Sequence, residues 1–188
     1  MTRARTRPGL RHWLGTMAVF GLVTTLGLGL PAIDAALPAG RQPPAGRPYL
    51  VGAGVRVIPP DGSVIDVTRT RPGSRTGAVL FQLGTVRLAI TAAPARGDLA
   101  AVAARLRTRI TARRGVQVVG VETPTSTDSG LVGLAGGYAS AGRVGRYVVF
   151  STNGIGIEVT VSGADVDLRG NLDRINASIR SLRYGGRR

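Results

Sequence analysis

Alternation of apolar and polar positions is clearest from Arg146 to Ser162, where two strand-like runs flank Asn153-Gly154. That pair best satisfies the positive φ angles of a two-residue hairpin turn. In the second arm Ile155, Ile157, Val159 and Val161 alternate with Gly156, Glu158, Thr160 and Ser162, the pattern of a half-buried antiparallel strand. A second hairpin is predicted across Gly84-Thr85, with Val79, Phe81 and Leu83 answered by Val86, Leu88 and Ile90. Shorter β signals cover Gly54 to Ile58, Val64 to Thr68, Val116 to Glu122 and Leu131 to Tyr138. Two segments carry helical period instead. Asp98 reads as an N-cap before the apolar stripe Leu99, Val102, Ala103, Leu106 and Ile110, with Gly115 as the stop. A second stripe starts near Asp165 and uses Leu168, Leu172, Ile175, Ile179 and Leu182 before Gly185. Strands, a helix, three or four further strands and a closing helix predict an α+β domain. Its sheet is expected to be largely antiparallel and covered by two main helices.

Ahead of this domain the pattern changes. Trp13 to Ile33 runs 21 residues without a charge. At about 1.5 Å rise per residue this is the length of a helix that crosses roughly 30 Å of hydrocarbon. Arg3, Arg5, Arg7 and Arg11 precede the run, and only Arg41 and Arg47 follow it closely, which places the N-terminus in the cytoplasm. The run exceeds the usual apolar core of a signal peptide, and Ile33-Asp34-Ala35 is a poor cleavage site. An uncleaved anchor is therefore expected, with secretion after cleavage near Ala35 as the alternative. Pro38 to Pro48 holds four of the 11 prolines and reads as a semi-extended spacer that disfavours helix and sheet. The expected organisation is a basic cytoplasmic tail (1–12), a transmembrane signal anchor (13–33), a Pro/Gly-rich tether (34–48), an exported α+β domain (49–185) and a basic C-terminal end (186–188). The lipid bilayer is then the partner of Trp13 to Ile33.

With Gly54-Val-Arg-Val-Ile-Pro-Pro-Asp-Gly62 as an opening strand and proline-glycine turn, the order of elements over residues 50–185 resembles the PsbP-like α/β/α sandwich. That family includes small exported domains of actinobacteria, both lipoproteins and type VII secretion-associated proteins. The resemblance implies an exported accessory domain and brings no shared catalytic motif. Arginine usage and abundant Ala, Gly and Val also fit a GC-rich bacterial genome.

Composition removes most chemistry. All 25 basic residues are arginine, so Walker-type phosphate loops and Schiff-base catalysis are excluded. Without cysteine there is no thiol nucleophile, disulfide, thiolate metal site or lipoprotein anchor. The one histidine, His12, lies in the tail, and Gly-x-Ser-x-Gly is absent. Gly52-Ala-Gly54 runs on to Val57 where a dinucleotide fingerprint needs glycine. Asp61, Asp66, Asp98, Glu122, Asp128 and Glu158 fit no calcium-loop spacing. Asp165 and Asp167 read as helix-start acids that favour the dipole. No catalytic residue, metal ligand or cofactor is therefore expected. A glycosidase-like carboxylate pair drawing on Asp66 or Glu158 is the minor enzymatic alternative. Asn176-Ala-Ser178 matches the glycosylation sequon but falls in a predicted helix.

Positive charge is what remains. From Pro38 onward 21 arginines face nine acids, a formal charge of +12. Arg69, Arg71 and Arg75 lie around a Pro-Gly turn, and Arg143 and Arg146 precede the hairpin. These five are the candidate anion- or partner-binding residues, since guanidinium forks match phosphate and carboxylate. Arg105, Arg109 and Arg113 form an i, i+4 row that reads nearly as well as a solvated face. The function expected is a membrane-anchored, non-catalytic accessory domain that meets a membrane or envelope protein or an acidic envelope component. The alternative is a secreted or anchored binder of an acidic polymer, lipid head group or small anion. Nucleic acid is not expected, because the domain is placed outside the cytoplasm.

Overall fold

A computed structural model describes residues 40–186. The basic tail, the uncharged run Trp13 to Ile33, the first part of the tether and the last two arginines lie outside these residues. Among the described residues no helix is long and apolar enough to cross a membrane.

The domain is α+β, as the periodicity predicts. Its strands are β1 (Gly40–Arg41), β2 (Tyr49–Gly52), β3 (Val55–Val57), β4 (Val64–Asp66), β5 (Gly77–Leu83) and β6 (Val86–Pro94), then β7 (Gln117–Ser126), β8 (Val132–Ser140), β9 (Arg143–Thr152), β10 (Ile155–Gly163) and β11 (Arg183–Tyr184). Helix α1 (Leu99–Thr111) joins β6 to β7, and α2 (Asp165–Arg180) follows β10. Eight strands form one antiparallel sheet in the order β1-β4-β5-β6-β10-β9-β8-β7, and β11-β3-β2 form a small second sheet.

Both predicted hairpins are present. Leu83 pairs with Val86, Phe81 with Leu88 and Val79 with Ile90 around Gly84-Thr85. At the other turn Thr152 pairs with Ile155, and Asn153 and Gly154 take φ of 47° and 72°. Alternation then divides the side chains between two cores. Phe81, Leu88, Ile90, Phe150, Ile157 and Val159 point to the face covered by α2 and the small sheet. Tyr147 and Val149 point to the other, where α1 lays down Val102, Ala103, Leu106 and Ile110. Tyr49 of the small sheet meets Phe81 of the large one edge to face, at 78° and 5.9 Å between ring centroids.

Long-range pairing assembles the two halves. Strands β4 to β6 form one meander and β7 to β10 another; α1 carries the chain to the far edge, and β10 returns to pair with β6. The far edge strand β7 is blunted: its register with β8 shifts between Val119 and Thr123, Gly120 has φ of 76°, and Pro124 lacks an N–H.

Three expectations need correction. Gly40–Arg41 lies inside the segment read as spacer, yet it pairs with Ile65 and Asp66 at the sheet edge. Pro-rich sequence is compatible with such an edge, where few N–H groups are needed. Helix α1 ends before Gly115, at Thr111. Ala112 caps it in right-handed conformation, and Gly115, at φ 73°, turns the chain toward β7. Finally, Leu182 is not helical. It is buried just beyond α2, as the chain enters β11 to pair with β3.

Candidate anion-binding groove along the first helix

Helix α1 is fixed at its start by Asp98, whose Oδ1 accepts from the Ala101 N–H at 2.8 Å. The helix packs over β7, β8, β9 and β10 and so covers only part of its face of the sheet. At about 100° per residue, Arg105 and Arg109 fall on the flank bordering this stripe rather than opposite it. That flank overlooks β6 and β10. The space between is a groove of about 900 Å³ whose lining includes Thr91, Ala93, Val102, Gly156 and Glu158, with Arg96, Arg105 and Arg109. A smaller hollow of about 280 Å³ shares Thr91, Arg109 and Glu158 with it and continues to Arg113 and Tyr138. The volume is that of a ligand site, about 300 to 1,000 Å³.

Four arginines thus meet one acid, Glu158, along this surface. Glu158 pairs with Arg109 from the groove floor, although the helix row has no acid partner within its own sequence neighbourhood. Arg105 donates through Nη2 to the Arg96 carbonyl at 2.6 Å, tying the start of the helix to the preceding turn. On the opposite flank Arg107 reaches Glu122 of β7 at 3.3 Å. The β7 irregularity positions Glu122, which also accepts from the Tyr147 hydroxyl at 2.7 Å. Burial of the Tyr147 ring, followed by this bond and the neighbouring carboxylate charge, pushes the phenol up to about 12.

The five arginines singled out from sequence are distributed over the domain. Arg69 turns toward Asp66 at 4.0 Å. Asp66 also accepts from the Thr68 hydroxyl and from the N–H groups of Thr68 and Arg69, and the Thr68 hydroxyl is the main reason its carboxyl lies below the ordinary range. Arg71 pairs through its backbone with Ala78 and donates Nη1 to the Thr70 carbonyl at 3.1 Å. Arg75 lines a separate hollow of about 420 Å³ with Ser74, Ile155 and Tyr184. Arg143 and Arg146 are three residues apart on one strand, which sends them to opposite faces. Arg143 lies near the carbonyls of Thr85 and Ser162, both at 3.4 Å, and Arg146 faces α2.

The carboxylate pair fares differently. Asp66 and Glu158 share a face, but β5 and β6 lie between β4 and β10. Three inter-strand steps of about 4.8 Å separate them by roughly 14 Å, beyond the 6.5 to 9.5 Å of inverting glycosidases. Among the described residues no three His, Cys, Asp or Glu side chains are grouped to hold a metal ion. In the sequon, Ser178 is buried and donates to the Ile58 carbonyl at 2.6 Å, so it is a structural tie between α2 and the small sheet.

No protein-family model and no curated protein matches the sequence. Among solved structures the chain is similar to cyanobacterial PsbP from Synechocystis sp. PCC 6803, at 17% identity and a TM-score of 0.54, over 79% of this chain and 99% of that one. It is also similar to LpqN, involved in cell envelope biogenesis of Mycobacterium tuberculosis, at 16% identity and a TM-score of 0.43, over 72% of this chain and 89% of that one. The PsbP-like layout expected from the sequence is met as a fold, with α1 on one side of the large sheet and α2 on the other.

Proposed function

We propose that this protein is a non-catalytic binding module of a bacterial envelope, held at the membrane by Trp13 to Ile33 with its domain outside the cytoplasm, and that the α1 groove seats an acidic partner. One observation carries the reading. Arg96, Arg105, Arg109 and Arg113 line a continuous groove in which Glu158 is the one acid. Like charges four apart on a helix cost about 0.2 to 0.5 kcal/mol per pair, a cost that an acidic partner offsets. Arg105 and Arg109 are about 6 Å apart along the axis of α1, and Arg113 follows just beyond its cap, a row that suits a chain carrying repeated acid groups. The 21-residue uncharged run and the basic tail before it support the membrane placement.

Binding of long-chain polyphosphate to the full-length chain in phosphatidylcholine nanodiscs tests the groove. Replacing Arg105, Arg109 and Arg113 together by Gln should weaken binding by at least about tenfold, because each charge contributes independently to holding a polyanion. A matched replacement of Arg69, Arg71 and Arg75 should weaken it less. Equal loss from both sets would show net charge at work and would count against the groove. Protease accessibility of a C-terminal tag in intact cells tests the orientation, and a protected tag would refute it.

A further inference from the structure

We infer a second ligand site on the opposite face of the sheet, shaped for a small amphiphile with one phosphate or carboxylate head and a short apolar chain. Helix α2 packs over β6, β9 and β10 and leaves the neighbouring part of that face uncovered. Ala135 of β8 pairs with Val148 of β9 and shares its face, so a small side chain floors the sheet surface beside α2. A cleft of about 250 Å³ results, with Ala135, Val148, Val161, Leu172, Ile175 and Ile179 as its apolar part. At roughly 30 Å³ per water-sized group it accommodates about eight such groups, a head and a short chain.

Its polar part includes Thr125 and Ser126 of β7, and its charged groups are cationic. Arg146 comes from β9, Arg180 from the last turn of α2, and Asn176 lies one turn before Arg180. No acid lines this cleft, unlike the α1 groove with Glu158. Among the described residues, neither Arg146 nor Arg180 has a carboxylate within 4.0 Å. Two arginine forks and a carboxamide beside an apolar hollow match an anionic head whose chain enters the hollow. An uncharged chain would leave the forks unused, and a bare anion would leave the hollow unfilled. This site lies across the sheet from the α1 groove and stands or falls apart from it.

The test uses full-length chain in phosphatidylcholine nanodiscs, labelled at the isoleucine methyl groups and titrated with hexyl phosphate. The Ile175 and Ile179 methyl signals should move saturably. Inorganic phosphate, hexanol and hexyltrimethylammonium should each bind at least about tenfold more weakly. Arg146→Gln and Arg180→Gln are surface changes and should each weaken hexyl phosphate by about tenfold, while Arg105→Gln leaves it unchanged. Unliganded methyl spectra that match the parent verify that the variants fold. The site is refuted if the methyl signals do not move, if the cationic amphiphile binds as tightly, or if the double variant Arg146→Gln/Arg180→Gln binds as the parent does.

Discussion

Tyr147 is fully buried under α1, and its hydroxyl reaches Glu122 at the rim. Removing the hydroxyl by Tyr147→Phe should cost about 1.5 kcal/mol near neutral pH, the scale of a hydrogen bond to a charged group. The effect depends on pH with a definite sign. The folded phenol titrates at about 12, above its ordinary value near 10, so the folded state holds this proton more tightly than the unfolded chain does. The contribution is complete below about pH 10 and disappears as the pH rises through 12. Urea midpoints of parent and variant should therefore converge over that interval. A gap that stays constant to pH 12 would mean that neither burial nor Glu122 raises the phenol.

Helix α1 carries the groove, and its start is a local matter. Asp98 accepts from Ala101 across the first turn, so Asp98→Ala should destabilise the domain by about 1 kcal/mol, and Asp98→Asn by much less. Chemical denaturation of both variants checks this, and equal losses would assign the effect to charge rather than to the cap. The other end of the element behaves differently. Thr108 and Thr111 turn their hydroxyls back to the carbonyls of Ala104 and Arg107, and the helix closes before its glycine. At the end itself the carbonyls of Thr108 and Ile110 accept from the N–H groups of Ala112 and Arg113, so no left-handed residue is needed there.

Glu158 links the groove to the assembly of the whole domain. It stands on β10, across the seam from Thr91 of β6, and faces Arg109 of a helix 49 positions earlier. Its carboxylate occupies the place that a ligand acid would take beside Arg109. Glu158→Gln should therefore strengthen polyphosphate binding, by about three- to tenfold near 0.1 M salt. The gain should shrink toward 1 M, where the Debye length falls from about 10 Å to about 3 Å. Fluorescence titration across the salt series measures it; a variant that binds more weakly would make Glu158 a support for Arg109 rather than its competitor.

Hairpins and helix stripes were legible along the chain because their causes are local: Asn153-Gly154 supplies the turn, alternation supplies the faces, and Asp98 supplies the cap. The short strands β1, β2 and β11 were not, since pairs such as Arg183 with Arg56 are made by partners far away in sequence. The turn after β2 uses Ala53 at φ 51°, a conformation that no turn signal in Gly52-Ala53-Gly54 announces. Likewise the charge of the arginine row was plain in the sequence, whereas its use was not. Whether Arg105 and Arg109 face open water or a groove depends on which strands α1 covers, and the pairing of β10 with β6 decides that. Arg143 and Arg146, three residues apart in sequence, part to opposite faces by the period of their strand, while Arg146 and Arg180 meet through the packing of α2. Local periodicity determined the elements and the charge they carry; tertiary packing alone decided which charges converge, because convergence depends on contacts between segments that sequence spacing does not record.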